Sequence, residues 1–233
     1  MLKKNVTISL EGCVRGAALC FPAAPGIIAL SVVFGTVAAQ KGLTFLETIM
    51  INSLVFAGAS QFVAMEVYGS PLTWGLVIAM IGVTAAVNMR MLLIGASLRP
   101  WLGQVPAWQT YPALFFLTDL NWLLAISEYE KGTRDWGVYL GGGLFCWSIW
   151  SLSVVPGYFA GSLISDPKAF GLDVVLPAFF AALLVPLWKG NRQTYSWLVA
   201  GGVACLTWYL VGGYWSIFTG AVAGAVAGAY LDD

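Results

Sequence analysis

Apolar residues run along this chain in long blocks parted by short polar stretches, and the blocks set its architecture. They predict helices near residues 16–39, 45–67, 74–98, 110–127, 137–158, 173–188, 196–211 and 214–231, most of them close to the roughly 20 apolar residues that carry a helix across a bilayer. The last two are divided only by Gly212-Gly213, since Ser196 to Leu231 holds no charge; the glycines favour two short helices over one long tilted one. The chain therefore reads as all-α, a polytopic transmembrane helix bundle of seven or eight spans forming one domain over 16–231. Ahead of it, residues 1–15 interleave Lys3, Lys4, Glu11 and Arg15 with Val6, Ile8, Leu10 and Val14, the pattern of a segment lying at the membrane surface.

Composition narrows the class. Charged residues make up 9% of the chain, against about 25% in ordinary soluble proteins, too few to cover a water-exposed surface. Zero net charge with dispersed Lys and Arg offers no footprint for nucleic acid. Cys13, Cys20, Cys146 and Cys205 form no CxxC and the chain has no histidine; no metal site or cofactor is expected, and the cysteines read as small packing residues. With no serine–lysine pair at helical spacing inside a span, an enzyme is not expected either. The long apolar run starts only after Arg15, unlike a signal peptide, whose short core directly follows its lysines. A cytoplasmic amino end would put Lys3, Lys4, Arg15, Lys131, Arg134, Lys189 and Arg192 inside and Lys41, Arg99 and Lys168 outside, seven against three in favour of that orientation.

Against this apolar ground a few polar positions stand out, because a polar side chain in hydrocarbon must face protein, water or a solute. Phe56-Ala57-Gly58-Ala59-Ser60-Gln61-Phe62 sets Gly58, Ser60 and Gln61 inside the second span; Gln61 offers two donors and an acceptor oxygen, suited either to an amino acid's backbone groups or to holding helices together. Asn52 lies nine residues earlier, roughly on the same side of the helix. In the first span Pro22 and Pro25, the latter followed by Gly26, remove two backbone donors, which predicts a broken helix whose dipoles point at a small solute or ion, or else a kink repaired by a neighbour. Asn88-Met89-Arg90 places a guanidinium in the third span, snorkelling or paired, and Asp119, flanked by Thr118 and Asn121, is the carboxylate within reach. Asp119 reads equally as a static partner of Arg90 and as a proton-titrating group.

Gly220, Gly224 and Gly228 form a small-xxx-small ladder on the last span, a signal for close helix contact within the chain or with another subunit. Trp74, Trp101, Trp108, Trp136 and Trp188 fall near span ends, as interface anchors do. Pro25-Gly26 followed by Gly42-Leu43, and Pro156-Gly157 followed by Gly171-Leu172, suggest an internal repeat of interrupted helices.

In the Pro- and Gly-interrupted first helix through Gly35, Gly42-Leu43, the Phe56–Phe62 motif and Asn88-Met89-Arg90 with its Leu92–Leu98 run, the chain resembles the AzlC family of bacterial inner-membrane permeases. The resemblance covers most of the chain. It implies export of leucine, isoleucine and valine, with methionine a further candidate, together with a small hydrophobic AzlD-type membrane subunit. Where members of that family often carry a histidine after the arginine this chain has Met91, and where they carry Thr-Asp-Glu it has Thr118-Asp119-Leu120, so a mechanism needing that histidine or glutamate does not transfer. On the residues themselves, Pro25, Gly26, Gly58, Ser60, Gln61 and Asn88 are the expected substrate-binding set, Arg90 and Asp119 the ion pair that couples proton movement, and Gly220, Gly224 and Gly228 the packing seam. The competing reading is a structural or regulatory membrane subunit whose polar residues only hold a transport complex together.

Overall fold

The computed structural model describes residues 7–69, 71–163, 181, 191–212 and 215–231. These are helical nearly throughout: α1 (Leu10–Cys20), a 3-10 turn (Phe21–Ala23), α2 (Ala24–Gln40), α3 (Phe45–Val55), α4 (Gly58–Val67), α5 (Trp74–Ser97), α6 (Arg99–Leu102), α7 (Ala107–Leu114), α8 (Asp119–Glu130), α9 (Gly137–Leu163), α10 (Asn191–Leu210) and α11 (Trp215–Leu231). The predicted span near 173–188, the pair Gly171-Leu172 and Trp188 lie outside the described residues. Two compact units divide the chain, with a boundary inside α5 between Ala86 and Val87. The first holds α1 to α3, most of α4, the second half of α5, and α6 to α9; the second holds the first half of α5 with α10 and α11.

Among the described residues three helices are long and apolar enough to cross a membrane unaided: Leu10–Gln40, Trp74–Ser97 and Gly137–Leu163. The first begins at Leu10 rather than near 16, because Ser9 caps it: the Ser9 hydroxyl accepts the Gly12 N–H at 2.9 Å, filling one of the donors a helix leaves open at its start. Asp135 holds that cap in turn, accepting from the Ser9 backbone and hydroxyl and, at 2.9 Å, from the Gly137 N–H at the start of α9. One carboxylate thus ties the amino ends of α1 and α9 together.

The prolines of the first span do not break it. Pro22 would strand the Ala18 carbonyl and Pro25 the Phe21 carbonyl. Instead the Phe21 N–H bonds to the Ala17 and Ala18 carbonyls and the Ala24 N–H to that of Phe21, so one tight 3-10 turn takes up both acceptors. The expected break is therefore corrected to a local tightening within a continuous 31-residue helix.

The interruptions lie where hydropathy predicted none. The span 45–67 stops at Phe56, whose φ of 43° and ψ of 45° put a non-glycine residue in the left-handed region, and resumes at Gly58. The span near 110–127 stops after Leu114 and resumes at Asp119.

Helix α9 is the spine of the first unit, packed along α1 and α2. Contact is backbone to backbone: a side chain on Gly35 would overlap the Val154 carbonyl, and one on Gly157 that of Val32. Such close approach is how apolar helices attract one another in lipid, where the hydrophobic effect gives no help. In the second unit α10 and α11 form the expected pair of short helices, turned at Gly212 with φ +69°. The ladder on α11 faces α10, with a side chain on Gly220 falling 2.8 Å from the Ala200 carbonyl and one on Gly224 2.7 Å from the Ala200 Cβ; Gly228 stands at ordinary distance from Ser196. That seam is internal.

Candidate functional site

The two interruptions are finished differently: side chains meet the end of α3, while at the end of α7 the Pro112, Ala113 and Leu114 carbonyls accept from the Phe115, Phe116 and Leu117 N–H groups at 3.2, 3.0 and 3.0 Å and side chains add to that turn. At the end of α3 the Gln61 amide, one turn into α4, reaches back to donate to the Ile51 carbonyl at 2.7 Å and the Asn52 carbonyl at 3.4 Å. The Trp147 indole of α9 donates to Ser53 at 2.8 Å. At the end of α7 the Asn121 amide, in the first turn of α8, donates to the Phe116 and Tyr139 carbonyls, both at 3.1 Å, and the Tyr139 hydroxyl of α9 donates to Ala113 at 3.0 Å. At each break one amide from the resuming helix and one aromatic donor from α9 bond to the backbone beside it. The Phe56 and Phe115 rings meet across the two, centroids 6.1 Å apart.

Helix α5 braces both resuming halves. Asn88 donates to the Ser60 hydroxyl at 3.0 Å, which donates to the Ala57 carbonyl at 2.9 Å. Two residues on, Arg90 Nη2 lies 2.9 Å from Asp119 Oδ2, the first residue of α8. Side chains two apart on a helix diverge, which is how one short motif serves two neighbours.

Between the breaks lies a cleft of about 240 Å³, somewhat below the roughly 300–1,000 Å³ typical of small-molecule sites. Its walls are Ile27 of α2, Phe56 and Gly58 at the first interruption, Thr118, Asp119 and Leu120 at the second, and Cys146 and Trp150 of α9. Trp150 is pinned through its backbone, its carbonyl accepting from Ser31 at 2.5 Å and from Asn52 at 3.0 Å. Its indole ring closes on Gly58, where an added Cβ would lie 3.1 Å from the ring. Arg90 and Asp119 are 42% and 52% exposed, so the ion pair is not sealed in the protein core.

The expected site residues therefore divide. Gly58 and Asp119 line the cleft, and Arg90 is bonded to Asp119. Ser60, Gln61 and Asn88 stand behind it, bonded to the chain's own breaks; Gln61 Oε1 and Asn52 Oδ1 are buried with no hydrogen-bond partner among the described residues. Pro25 and Gly26 are exposed and do not line the cleft, since the 3-10 turn has already satisfied the carbonyls that were to do the binding. Sequence reasoning missed Ile27, Trp150 and Leu120, and Cys146 carried only a packing role. The available signal for Trp150 was its place in the interior of a predicted span, where a tryptophan has no interface to anchor to. Among the described residues no group of three or more His, Cys, Asp or Glu could hold a metal ion.

A family model described as AzlC protein matches residues 22–164, a range that contains the cleft and both interruptions. An uncharacterized membrane protein of Archaeoglobus fulgidus is 27% identical over 93% of this chain and 92% of its own length. The Inner membrane protein YgaZ of Escherichia coli K12 is 31% identical over 94% of this chain and 87% of its own. An uncharacterized membrane protein of Helicobacter pylori is 25% identical over 78% of each chain. No solved structure matches.

Proposed function

This membrane protein belongs to the AzlC family, and from that premise we propose that it is a secondary transporter exporting leucine, isoleucine and valine, with methionine a further candidate, across a bacterial inner membrane. The observation that carries the reading is the convergence of two interrupted helices on one cleft with a partly exposed Arg90–Asp119 pair at its wall. Interrupted helices are costly in lipid and recur in transporters because their ends recognise a small charged solute. The chain is read as seven or eight membrane-embedded segments with its amino end cytoplasmic, α3 with α4 and α7 with α8 making one segment each. The Arg90–Asp119 pair links export to proton movement. A small AzlD-type subunit completes the complex, and no chemical transformation of the substrate is involved.

A second reading has its own support. Ser60, Gln61 and Asn88 bond to the chain itself, as in a structural or regulatory subunit without a substrate site. Membrane vesicles loaded with labelled leucine separate the two, with exit followed across an imposed proton gradient for this chain alone, with its small partner, and with Asp119→Asn. The exporter reading expects gradient-sensitive exit that the variant loses. No exit from a folded complex in any arm would favour the subunit reading.

A further inference from the structure

Helix α9 is long and apolar enough to cross a membrane, and at about 1.5 Å per residue it measures the depth of whatever packs on it. Helix α3 starts beside its carboxyl end: the Phe45 ring lies 5.4 and 5.2 Å from those of Tyr158 and Phe159, and the Tyr158 hydroxyl donates to the Leu43 carbonyl at 3.0 Å. It then advances along α9, Asn52 donating to the Trp150 carbonyl and Ser53 accepting from the Trp147 indole. A straight continuation would carry Phe62 about 14 Å further, to the level of Val138. Instead the Phe62 ring sits 5.7 Å from that of Phe34, the neighbour of Gly35, which packs on the Val154 carbonyl. The Gln61 amide likewise lies 2.7 Å from the Ile51 carbonyl, where ten residues of unbroken helix would part them by about 15 Å. Helix α4 therefore turns back towards the end from which α3 came.

The second interrupted element does the same from the other end. The Tyr139 hydroxyl meets Ala113 of α7, and the Phe116 ring lies 6.4 Å from that of Trp147, so α7 advances from the amino end of α9. A straight continuation would carry Tyr129 about 20 Å further, to the level of Ala160. Instead the Tyr129 ring lies 5.5 Å from that of Trp101, which is 5.3 Å from that of Trp136. Glu128 pairs at 2.6 Å with Arg15, next to Gly16, which packs on the Val138 carbonyl. Arg99, two residues before Trp101, thus joins Arg15, Lys131 and Arg134 at one end of α9, whereas counting each apolar block as a crossing put it on the opposite face. With it, the basic residues of this unit gather more strongly on the face read as cytoplasmic.

We propose that α3–α4 and α7–α8 are re-entrant hairpins entering from opposite faces of the membrane, and that their tips, with the Phe56 and Phe115 rings 6.1 Å apart, are the barrier between the two aqueous sides. Non-helical backbone is tolerated at membrane depth where it is buried in protein or lines a cavity; Phe56 does both, at 7% exposed and in the cleft wall. The barrier role rests on the exporter reading: each hairpin is the gate of its own face, and Asp119, at the tip of the cytoplasmic one, moves with that gate.

The test labels single cysteines with a membrane-impermeant maleimide in intact cells and in inverted vesicles. The background is the full chain with Cys13→Ala and Cys205→Ala, in which Cys20 and Cys146 stay buried. Lys41→Cys and Glu66→Cys flank the first hairpin, Gln104→Cys and Glu130→Cys the second, all at exposed or half-buried positions. The first pair is expected to label from the outer face and the second from the cytoplasmic face. Members of either pair labelling from opposite faces, all four labelling from one face, or a position that labels from neither overturns the hairpins. The barrier is tested with Phe56→Ala combined with Phe115→Ala, for which leucine exit from vesicles is expected to lose its dependence on the proton gradient; exit that keeps it overturns the barrier. Labelling needs no substrate, so it carries the test if the double variant fails to fold. The expected labelling without leucine exit from the unaltered chain overturns the exporter reading and the barrier with it, and leaves the hairpins standing.

Discussion

At Phe21–Pro25 the chain carries two prolines among apolar residues and stays helical; at Phe56-Ala57 it carries none and leaves the helix. The proline turn is self-contained, because the Phe21 and Ala24 N–H groups shift to nearer carbonyls and use up every acceptor the prolines strand. The break at Phe56 is not. It holds a bulky residue at positive φ, at a strain of about 1 kcal/mol, and its open carbonyls are met from outside by Gln61 and Trp147. At the proline turn the backbone alone supplies the replacement donors and the helix runs on, whereas at Phe56 side chains from α4 and α9 meet the open end.

The comparison can be broken most directly at Gln61. Gln61→Met keeps length and volume but strips both donations to the end of α3, and leaving those carbonyls unmet inside the unit should destabilise it by about 2 kcal/mol. Thermal unfolding in detergent would show this as a clear fall in midpoint. An unchanged midpoint would mean the break does not depend on its side-chain cap. Trp147→Phe removes one donor and leaves a single phenyl ring in place of the indole, so the expected loss is about 1 kcal/mol for the hydrogen bond plus the packing lost with the pyrrole ring, and its sum with Gln61→Met should depart from additivity because both serve one helix end.

Most of the helices were legible in the sequence because lipid forces every backbone group to be bonded internally, which makes long apolar runs reliable. The interruptions were not, because their causes are distant. Nothing in Phe56-Ala57 says that a tryptophan about ninety residues later will cap Ser53, and an asparagine inside a span does not declare that it will bond to Phe116 instead of a solute. Gln61 and Asn88 were singled out correctly as polar groups that need partners, yet the partners turned out to be the chain's own broken ends. Asp119 was picked out for its charge alone; its place as the first residue of a half-helix emerged only with the break before it. The glycines of α11 announced their seam through strict spacing, and those of α9 obey the same rule where they meet α1 and α2, with Gly137 and Gly141, then Gly157 and Gly161, each four residues apart.

The smallest effect is expected at the prolines. A double Pro22→Ala, Pro25→Ala chain regains a backbone N–H at each of the two positions, available to the Ala18 and Phe21 carbonyls, so the 3-10 turn can relax to regular α-helix. The new bonds replace ones already present and add little, while the unfolded chain gains freedom that opposes folding. The two contributions oppose each other and the net change should stay within about 0.5 kcal/mol. The exposed Pro25 and Gly26 do not line the cleft, so leucine exit from vesicles should persist in the double variant. Preserved stability with lost transport would place a working hinge at Phe21–Ala23 and give the proline turn the role here assigned to the break at Phe56.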